Sequence, residues 1–418
     1  EQEFSEFVKK KNNRNMVATP PDAAIIDSLR RTGYKWFEAL LDVIDNCIDA
    51  IKDMVENDPQ YQGRIFISAE KDSSGKIKKI IIGDTGTGIP ADFLPQVLAL
   101  GKSLKRKNQK TRPRLGVFGM GLKTAGMSLA DNITVISRVA GEEVAYANWR
   151  PAVDGFSVES DTSPEHTKMF EEKIGAGSGT IVIFEDLRST TGGGQSDLPK
   201  DRGSFYKTLK RRAAHTYRHI RNPNSTAHVP FEFKVGNTVV PAGWDPLGIG
   251  HPDTLVLIGG PNGEFLKFVG PDGQEYWIRM VHHRRSSGGD LSANRDKYDN
   301  IVGQFMPGNH YKQGVYWIRQ GREIHADKLW TPRQGISNIF AEIRFEDSGL
   351  EGETSPIQMD FGKTDVLLNP DAKDYLIDSV FDPQVKQRLA DLKKESQEKR
   401  NLNLDEVCEQ VSKNILTP

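Results

Sequence analysis

Leu41-Asp42-Val43-Ile44-Asp45-Asn46-Cys47-Ile48-Asp49-Ala50 repeats its apolar residues at three- and four-residue steps. Leu41, Ile44, Ile48 and Ile51 therefore share one stripe of a helix, and Asp42, Asp45, Asn46 and Asp49 share another. A carboxylate-and-amide face beside a core face suits a hydrated cation. Magnesium prefers oxygen ligands and keeps several waters, so one Asn46 carbonyl plus phosphate oxygens makes a workable set. Asp42, one turn before Asn46, could polarise an attacking water. Taken alone, the plainer reading prevails: an amphipathic helix with a solvated acidic face.

Further along, Ile80-Ile81-Ile82-Gly83-Asp84-Thr85-Gly86-Thr87-Gly88 runs an apolar strand into an Asp and two glycines. Asp84 at a strand end could accept from an exocyclic amine, and Gly86 and Gly88 would let the backbone approach a flat ring. The same residues also describe a simple strand-exit turn. Gly116-Val117-Phe118-Gly119-Met120-Gly121-Leu122-Lys123 leads into a helix; such a turn exposes backbone N–H groups to phosphate, with Lys123 adding a point charge, or else is a hinge. It lacks the Walker A spacing, and no strand leads into it as a Rossmann turn requires. Gly179-Thr180 opens a fourth strand, where the Thr180 hydroxyl could reach a nucleotide through water.

In this order the four stretches resemble the motifs of the GHKL superfamily, whose nucleotide pocket is of the Bergerat type. That superfamily includes DNA gyrase B, heat-shock chaperones of the ninety-kilodalton class, histidine kinases, MutL-type repair proteins and Microrchidia (MORC) ATPases. The resemblance covers residues 20–190 and implies an ATP site. Asn46 ligates magnesium, Asp42 acts as catalytic base, and Asp84 reads the adenine amine with Thr180 assisting. Gly86 and Gly88 make room for the base. Gly116, Gly119, Gly121, Leu122 and Lys123 line the phosphates, Lys102 and Ser103 touch nucleotide from a lid, and Asp49 braces the pocket. One position departs from the pattern: Asp42 stands where Glu is usual. A carboxylate set back by about 1 Å can cost ~10²-fold in rate, so slow hydrolysis is expected. Glu38 is a possible substitute, one turn earlier.

Gly314 to Ile324, which contains Gln320-Gly321-Arg322, is similar to the strand–turn–strand of a MORC or MutL second domain. Phe361-Gly362-Lys363-Thr364-Asp365 then falls where those families carry a lysine that reaches the gamma-phosphate, so Lys363 is the second catalytic candidate. The expected architecture is an α/β sandwich over 1–190 with an N-terminal arm, a transducer-like α/β domain over 205–370, and a charged helical extension over 371–418. Residues 151–178 read as a polar insertion and 187–204 as a linker.

The bulk properties leave this reading open without forcing it. The chain has 418 residues, 37% hydrophobic content and a net charge of −1, so no global charge demands nucleic acid or a membrane surface. Two cysteines far apart build neither a disulfide framework nor a zinc quartet, and an intracellular setting, cytoplasmic or nuclear or nucleoid, is expected. No signal peptide is visible, although the chain starts at Glu1 and could be trimmed. Seven basic residues and no acids between 101 and 114 suit phosphate or DNA, or a solvated loop. His282-His283-Arg284-Arg285 could be a nucleic-acid patch; a metal there lacks partner ligands. The expected partners are ATP, a second copy of the chain in a nucleotide-dependent dimer, and double-stranded DNA, with no membrane. The rival expectation is a protein-remodelling chaperone or protein-interaction ATPase without nucleic acid. A histidine-kinase reading fits poorly, since no His precedes His166.

Overall fold

A computed structural model describes residues 35–98, 114–116, 121–154, 157–188, 198–199, 201–240, 247, 254–271, 273–283, 314–327, 339–345, 357–359 and 366–415. The order begins with α1 (Trp36–Asn57), β1 (Gly63–Lys71), β2 (Ile77–Asp84), α2 (Leu94–Leu98), α3 (Gly121–Leu129), β3 (Ala130–Arg138), β4 (Ala145–Trp149) and α4 (Pro151–Asp154). It continues with β5 (Glu159–Asp161), α5 (Pro164–Lys173), β6 (Gly179–Leu187), α6 (Arg202–Thr216), β7 (Phe231–Val235) and β8 (Thr238–Val239). A second series follows: β9 (Thr254–Ile258), β10 (Leu266–Val269), β11 (Glu275–His283), β12 (Gly314–Arg319), β13 (Arg322–Asp327) and β14 (Ile339–Phe345). A short pair, β15 (Ile357–Met359) and β16 (Val366–Leu368), leads to α7 (Pro370–Asp374), a π-helical turn (Tyr375–Phe381) and α8 (Asp382–Ile415).

Among the described residues, β1 to β8 form one mixed sheet in the order β5-β4-β3-β6-β2-β1-β7-β8. Every pairing in it is antiparallel except β1 with β7. The apolar run of β2 is explained by burial on both faces. Ile80 and Ile82 pack into the core under α1, α3 and α6, while Ile81 joins Ile136, Ile181, Ile183, Phe170 and Ile174 on the opposite side.

Two sequence expectations change here. Residues 151–178 are not a mere insertion. They supply α4, the edge strand β5 and α5, whose Phe170 is fully buried against the sheet. The first sheet also runs past residue 190: α6 packs Phe205, Leu209 and Ala213 into the first core, and β7 extends the sheet beside β1.

The second sheet orders β10-β11-β14-β12-β13, with β9 also paired to β11. Alternation along β12 splits its side chains between two cores. Tyr316 and Ile318 join the first core, whereas Val315 and Trp317 face the cluster built with the C-terminal helices. In α8, Val385, Leu389 and Leu392 follow i, i+4, i+7 spacing and pack on that cluster, so this part of the extension is not a wholly solvated face. Arg388 is buried there, donating to His282 Nδ1 at 3.2 Å and to Glu395 at 2.7 Å. His282 is thus a packed partner of α8 rather than part of a surface patch; Arg284 and Arg285 lie outside the described residues.

Candidate functional site

Helix α1 carries the first group. Its start is fixed by Glu38, which accepts from the Lys35 amide at 3.1 Å and pairs with Lys35 Nζ at 3.0 Å. Glu38 is therefore occupied in capping and does not stand in for Asp42. The expected acidic face is not solvated: Asp42, Asp45 and Asp49 are each at most 1% exposed. Three buried carboxylates on one helix need partners, and the fold supplies them from different places.

Asp49 accepts from the backbone amides of Leu115 (2.9 Å) and Gly116 (3.0 Å), one on each oxygen. The Gly116 N–H is thus spent on Asp49, not offered to a phosphate. Asp45 turns the other way. Its Oδ1 meets Arg322 Nε at 2.8 Å and lies 2.9 Å from the Tyr217 hydroxyl, which is itself 2.8 Å from the Leu41 carbonyl. Asp45 therefore ties α1 to the second sheet. Asp42 lies between these: a methyl group at Gly121 would stand 3.6 Å from its Oδ2, and Arg322 Nη2 is 3.7 Å from its Oδ1. Asn46 Nδ2 donates to the Asp42 carbonyl at 3.3 Å. The amide oxygen of Asn46 is a group of the kind a hard cation takes.

The second group sits where β2 ends. Asp84, buried, is paired in register with Thr180 at the start of β6. Asp84 Oδ1 accepts from the Gly86 amide at 2.8 Å, which fixes the turn. Ser137 on β3, missed in the sequence, ties the floor together. Its hydroxyl donates to the Gly179 carbonyl (2.8 Å) and accepts from the Ile89 amide (2.8 Å). Ser137 has spent its one proton, so Thr180 is the donor in their 3.0 Å contact. Ser178 donates to the Gly86 carbonyl at 2.7 Å. Tyr61 and the Arg64 amide both hold Thr85 Oγ1 at 2.9 Å.

The glycines of this turn answer to the protein itself. A methyl at Gly86 would come within 2.4 Å of Ala50 Cβ on α1, and one at Gly88 (φ +74°) within 2.0 Å of the Arg138 carbonyl. The close approach they permit is to α1 and β3, whatever else they admit.

Helix α3 completes the arrangement. It begins at Gly121 beside Asp42, and its first N–H groups have no partner within the helix. Leu122 is partly buried against the core. Lys123 is 2% exposed, so it is packed inside the molecule rather than standing in solvent as a mobile charge. The structure thus brings Asp42, Asn46, Asp49, Gly116, Gly121, Leu122 and Lys123 into one region built by α1 and α3. Asp84, Gly86, Gly88 and Thr180 gather at the adjoining end of β2 and β6, with Gly86 touching α1 at Ala50. Lys102, Ser103, Gly119 and Lys363 lie outside the described residues.

The sequence from 34 to 175 matches the family described as histidine kinase-, DNA gyrase B-, and HSP90-like ATPase. Residues 34–175 form a GHKL ATPase domain. Three curated relatives agree with this. Protein MICRORCHIDIA 7 of Arabidopsis thaliana is 27% identical over 115 residues, 27% of this chain and 15% of that protein. Protein MICRORCHIDIA 4 of the same plant is 30% identical over 118 residues, 27% of this chain and 13% of that protein. Chaperone protein HtpG of Bacillus subtilis (strain 168) is 37% identical over 103 residues, 23% of this chain and 16% of that protein. The chain therefore spans about a sixth or less of the length of these relatives. The GHKL domain contains α1, β2 and α3, and its matched segment closes just before β6 supplies Thr180.

A buried ion network links the end of α6 and the residues after it to the second sheet. Glu342 on β14 is fully buried and meets three bases: Arg218 (2.6 Å), His219 (3.0 Å) and Arg279 (2.7 Å). Burial works to raise its pKa, yet Arg279, His219 and Arg218 hold it well below the ordinary carboxylate value. Arg218 also pairs with Glu323 on β13, and His215 lies 3.0 Å from the same carboxylate. Desolvation drives His215 down to about 4, against the pull of Glu323.

Proposed function

We propose that the chain binds and hydrolyses ATP, and that nucleotide drives its N-terminal domains to pair as a clamp on DNA. The observation that carries the reading is the meeting of Asp42 with Gly121: a buried carboxylate whose Oδ2 faces the N-terminus of α3. A helix N-terminus attracts phosphate through its N–H groups and dipole. A carboxylate beside it takes the proton of the attacking water as the bond between the terminal phosphorus and its bridging oxygen breaks. Asp84, with Thr180 beside it, receives the adenine amine. Lys123 and the glycine turn serve the phosphates. Lys102 and Ser103 close over the nucleotide, and Lys363 stabilises the leaving charge from a transducer-like second domain.

The donor set fits magnesium. Asn46 offers a neutral amide oxygen, and among the described residues no group of three or more His, Cys, Asp or Glu side chains is arranged to hold a metal. An ion there would take its other ligands from phosphate and water, as magnesium does. When bound it would neutralise phosphate charge.

The relatives favour both readings in part. The clamp reading draws on the resemblance to the Microrchidia proteins and on the basic 101–114 segment, whose composition suits phosphate backbone. HtpG, named a chaperone, supports the protein-remodelling alternative. No helix among the described residues is long and apolar enough to cross a membrane.

The test is calorimetric titration with ATP and magnesium, followed by light scattering with a non-hydrolysable analogue. Wild type binds and shifts to a dimer, and Asn46→Ala does neither. Equal binding by Asn46→Ala would overturn the site. DNA affinity that falls steeply with salt supports the clamp, and its absence at low salt supports the chaperone alternative.

A further inference from the structure

We propose that Arg322 is a positioning residue for Asp42, aiming its carboxylate from the second sheet. This rests on the reading of Asp42 as the base. Arg322 opens β13, just after the turn Gln320–Gly321, where both residues have positive φ (51° and 78°). Such a two-residue turn fixes the register of the hairpin and so the reach of the residue that follows. Gly321 is seated against Ile220 and Ala227, where a methyl would come within 2.9 and 2.6 Å of their side chains. Arg319, on the other arm, donates to the Arg114 carbonyl at 3.1 Å, next to the Leu115–Gly116 amides that Asp49 holds. The hairpin is thereby held at its turn by Ile220 and Ala227 and at Arg319 by the GHKL domain.

Arg322 is buried and serves two carboxylates one helical turn apart. Its Nε is 2.8 Å from Asp45 Oδ1 and its Nη2 is 3.7 Å from Asp42 Oδ1. The division of Asp42 is the informative part: Oδ1 lies on the Arg322 side, and Oδ2 faces Gly121. One oxygen is oriented by the cation while the other is directed to the N-terminus of α3. Two buried carboxylates this close repel when both are charged, and a planar guanidinium can answer both. The groups around Asp42 are Arg322 from β13, Tyr217 after α6 through Asp45, Asp45 and Asn46 on its own helix, and the α3 N-terminus at Gly121. Burial opposes the Arg322 charge, but Asp45, Tyr217 and Asp42 outweigh it, so the guanidinium stays protonated.

The experiment is steady-state phosphate release from ATP and magnesium, with kcat and KM read separately, for wild type, Arg322→Lys and the neutral pair Asp45→Asn/Arg322→Gln. In the neutral pair kcat falls about 10-fold or more while KM for ATP stays within about twofold, because the carboxylate is no longer aimed although the nucleotide contacts remain. Arg322→Lys, which keeps a cation without the planar fork, recovers part of kcat. A fall in kcat with a matching rise in KM, or an unchanged kcat, overturns the proposal. Should the neutral pair not fold, a cycle of Asp42→Asn and Arg322→Lys read by kcat decides: Arg322→Lys lowers kcat beside Asp42 and not beside Asn, and additive losses overturn the proposal. Full hydrolysis by Asp42→Asn would remove the base reading and this proposal together. An inactive Asp42→Asn with kcat unchanged in the neutral pair removes only the role of Arg322.

Discussion

Asp49 Oδ2 accepts from the Gly116 amide at 3.0 Å, across 67 residues of chain. Its other oxygen holds the Leu115 amide, so one buried side chain fixes the Leu115–Gly116 backbone against α1. Asp49→Asn leaves one oxygen for two amides and turns an N–H₂ toward a donor. The expected cost is about 1–3 kcal/mol, read as a lower urea midpoint, together with weaker nucleotide binding. An unchanged midpoint would show that the clasp adds nothing.

Glu342 is the hub of the contact between the 215–221 segment and the second sheet. Replacing it with Gln leaves Arg218, Arg279 and His219 around a neutral group in a dry site. Glu342→Gln should destabilise the fold by about 3–5 kcal/mol, as breaking one partner of a buried ion pair does. Thermal denaturation followed by circular dichroism checks this.

His215 sets an acid limit. Its pKa of about 4 in the folded chain, against an ordinary 6.5, means that the unfolded chain binds the proton more tightly. Its contribution is fully present above 6.5 and is lost as pH falls through the window down to about 4. The loss is about 3 kcal/mol by linkage. Glu342, held below the ordinary carboxylate value, adds loss at still lower pH. His215→Gln should flatten unfolding free energy between pH 6.5 and 4 and leave the lower limb.

Two glycines with positive φ separate steric need from backbone freedom. At Gly88, φ is +74° and a methyl would meet the Arg138 carbonyl at 2.0 Å, while Gly75 has φ +86° with nothing within 4 Å. Gly75→Ala should cost about 1 kcal/mol, the strain of the left-handed region alone. Gly88→Ala must also move β3 and should give little soluble protein. Comparable melting temperatures for the two variants would contradict this.

What was legible in the sequence was what local periodicity can carry. Leu41, Ile44, Ile48 and Ile51 gave α1, and the run Ile80–Ile82 gave a strand buried on both faces. Helix α5 was hidden because its one fully buried anchor, Phe170, sits in a polar stretch. The parallel pairing of β7 with β1 joins segments more than 160 residues apart and leaves no local pattern. Within the site, Asp42, Asn46 and Asp84 could be nominated from motif order. That Asp45 belongs to Arg322, 277 residues away, could not, since helical spacing alone puts Asp45 with the other acids. Ser137 gave no signal either: an isolated serine in a strand is unremarkable until Gly179, Thr180 and Ile89 converge on it.

Hydrolysis with Asp42 as base is tested most directly by steady-state phosphate release from ATP and magnesium, comparing wild type with Asp42→Asn. Slow turnover by the wild type is expected, with a loss of about 10²-fold or more in the variant, in line with removal of a general base. Turnover by Asp42→Asn at the wild-type rate would contradict it.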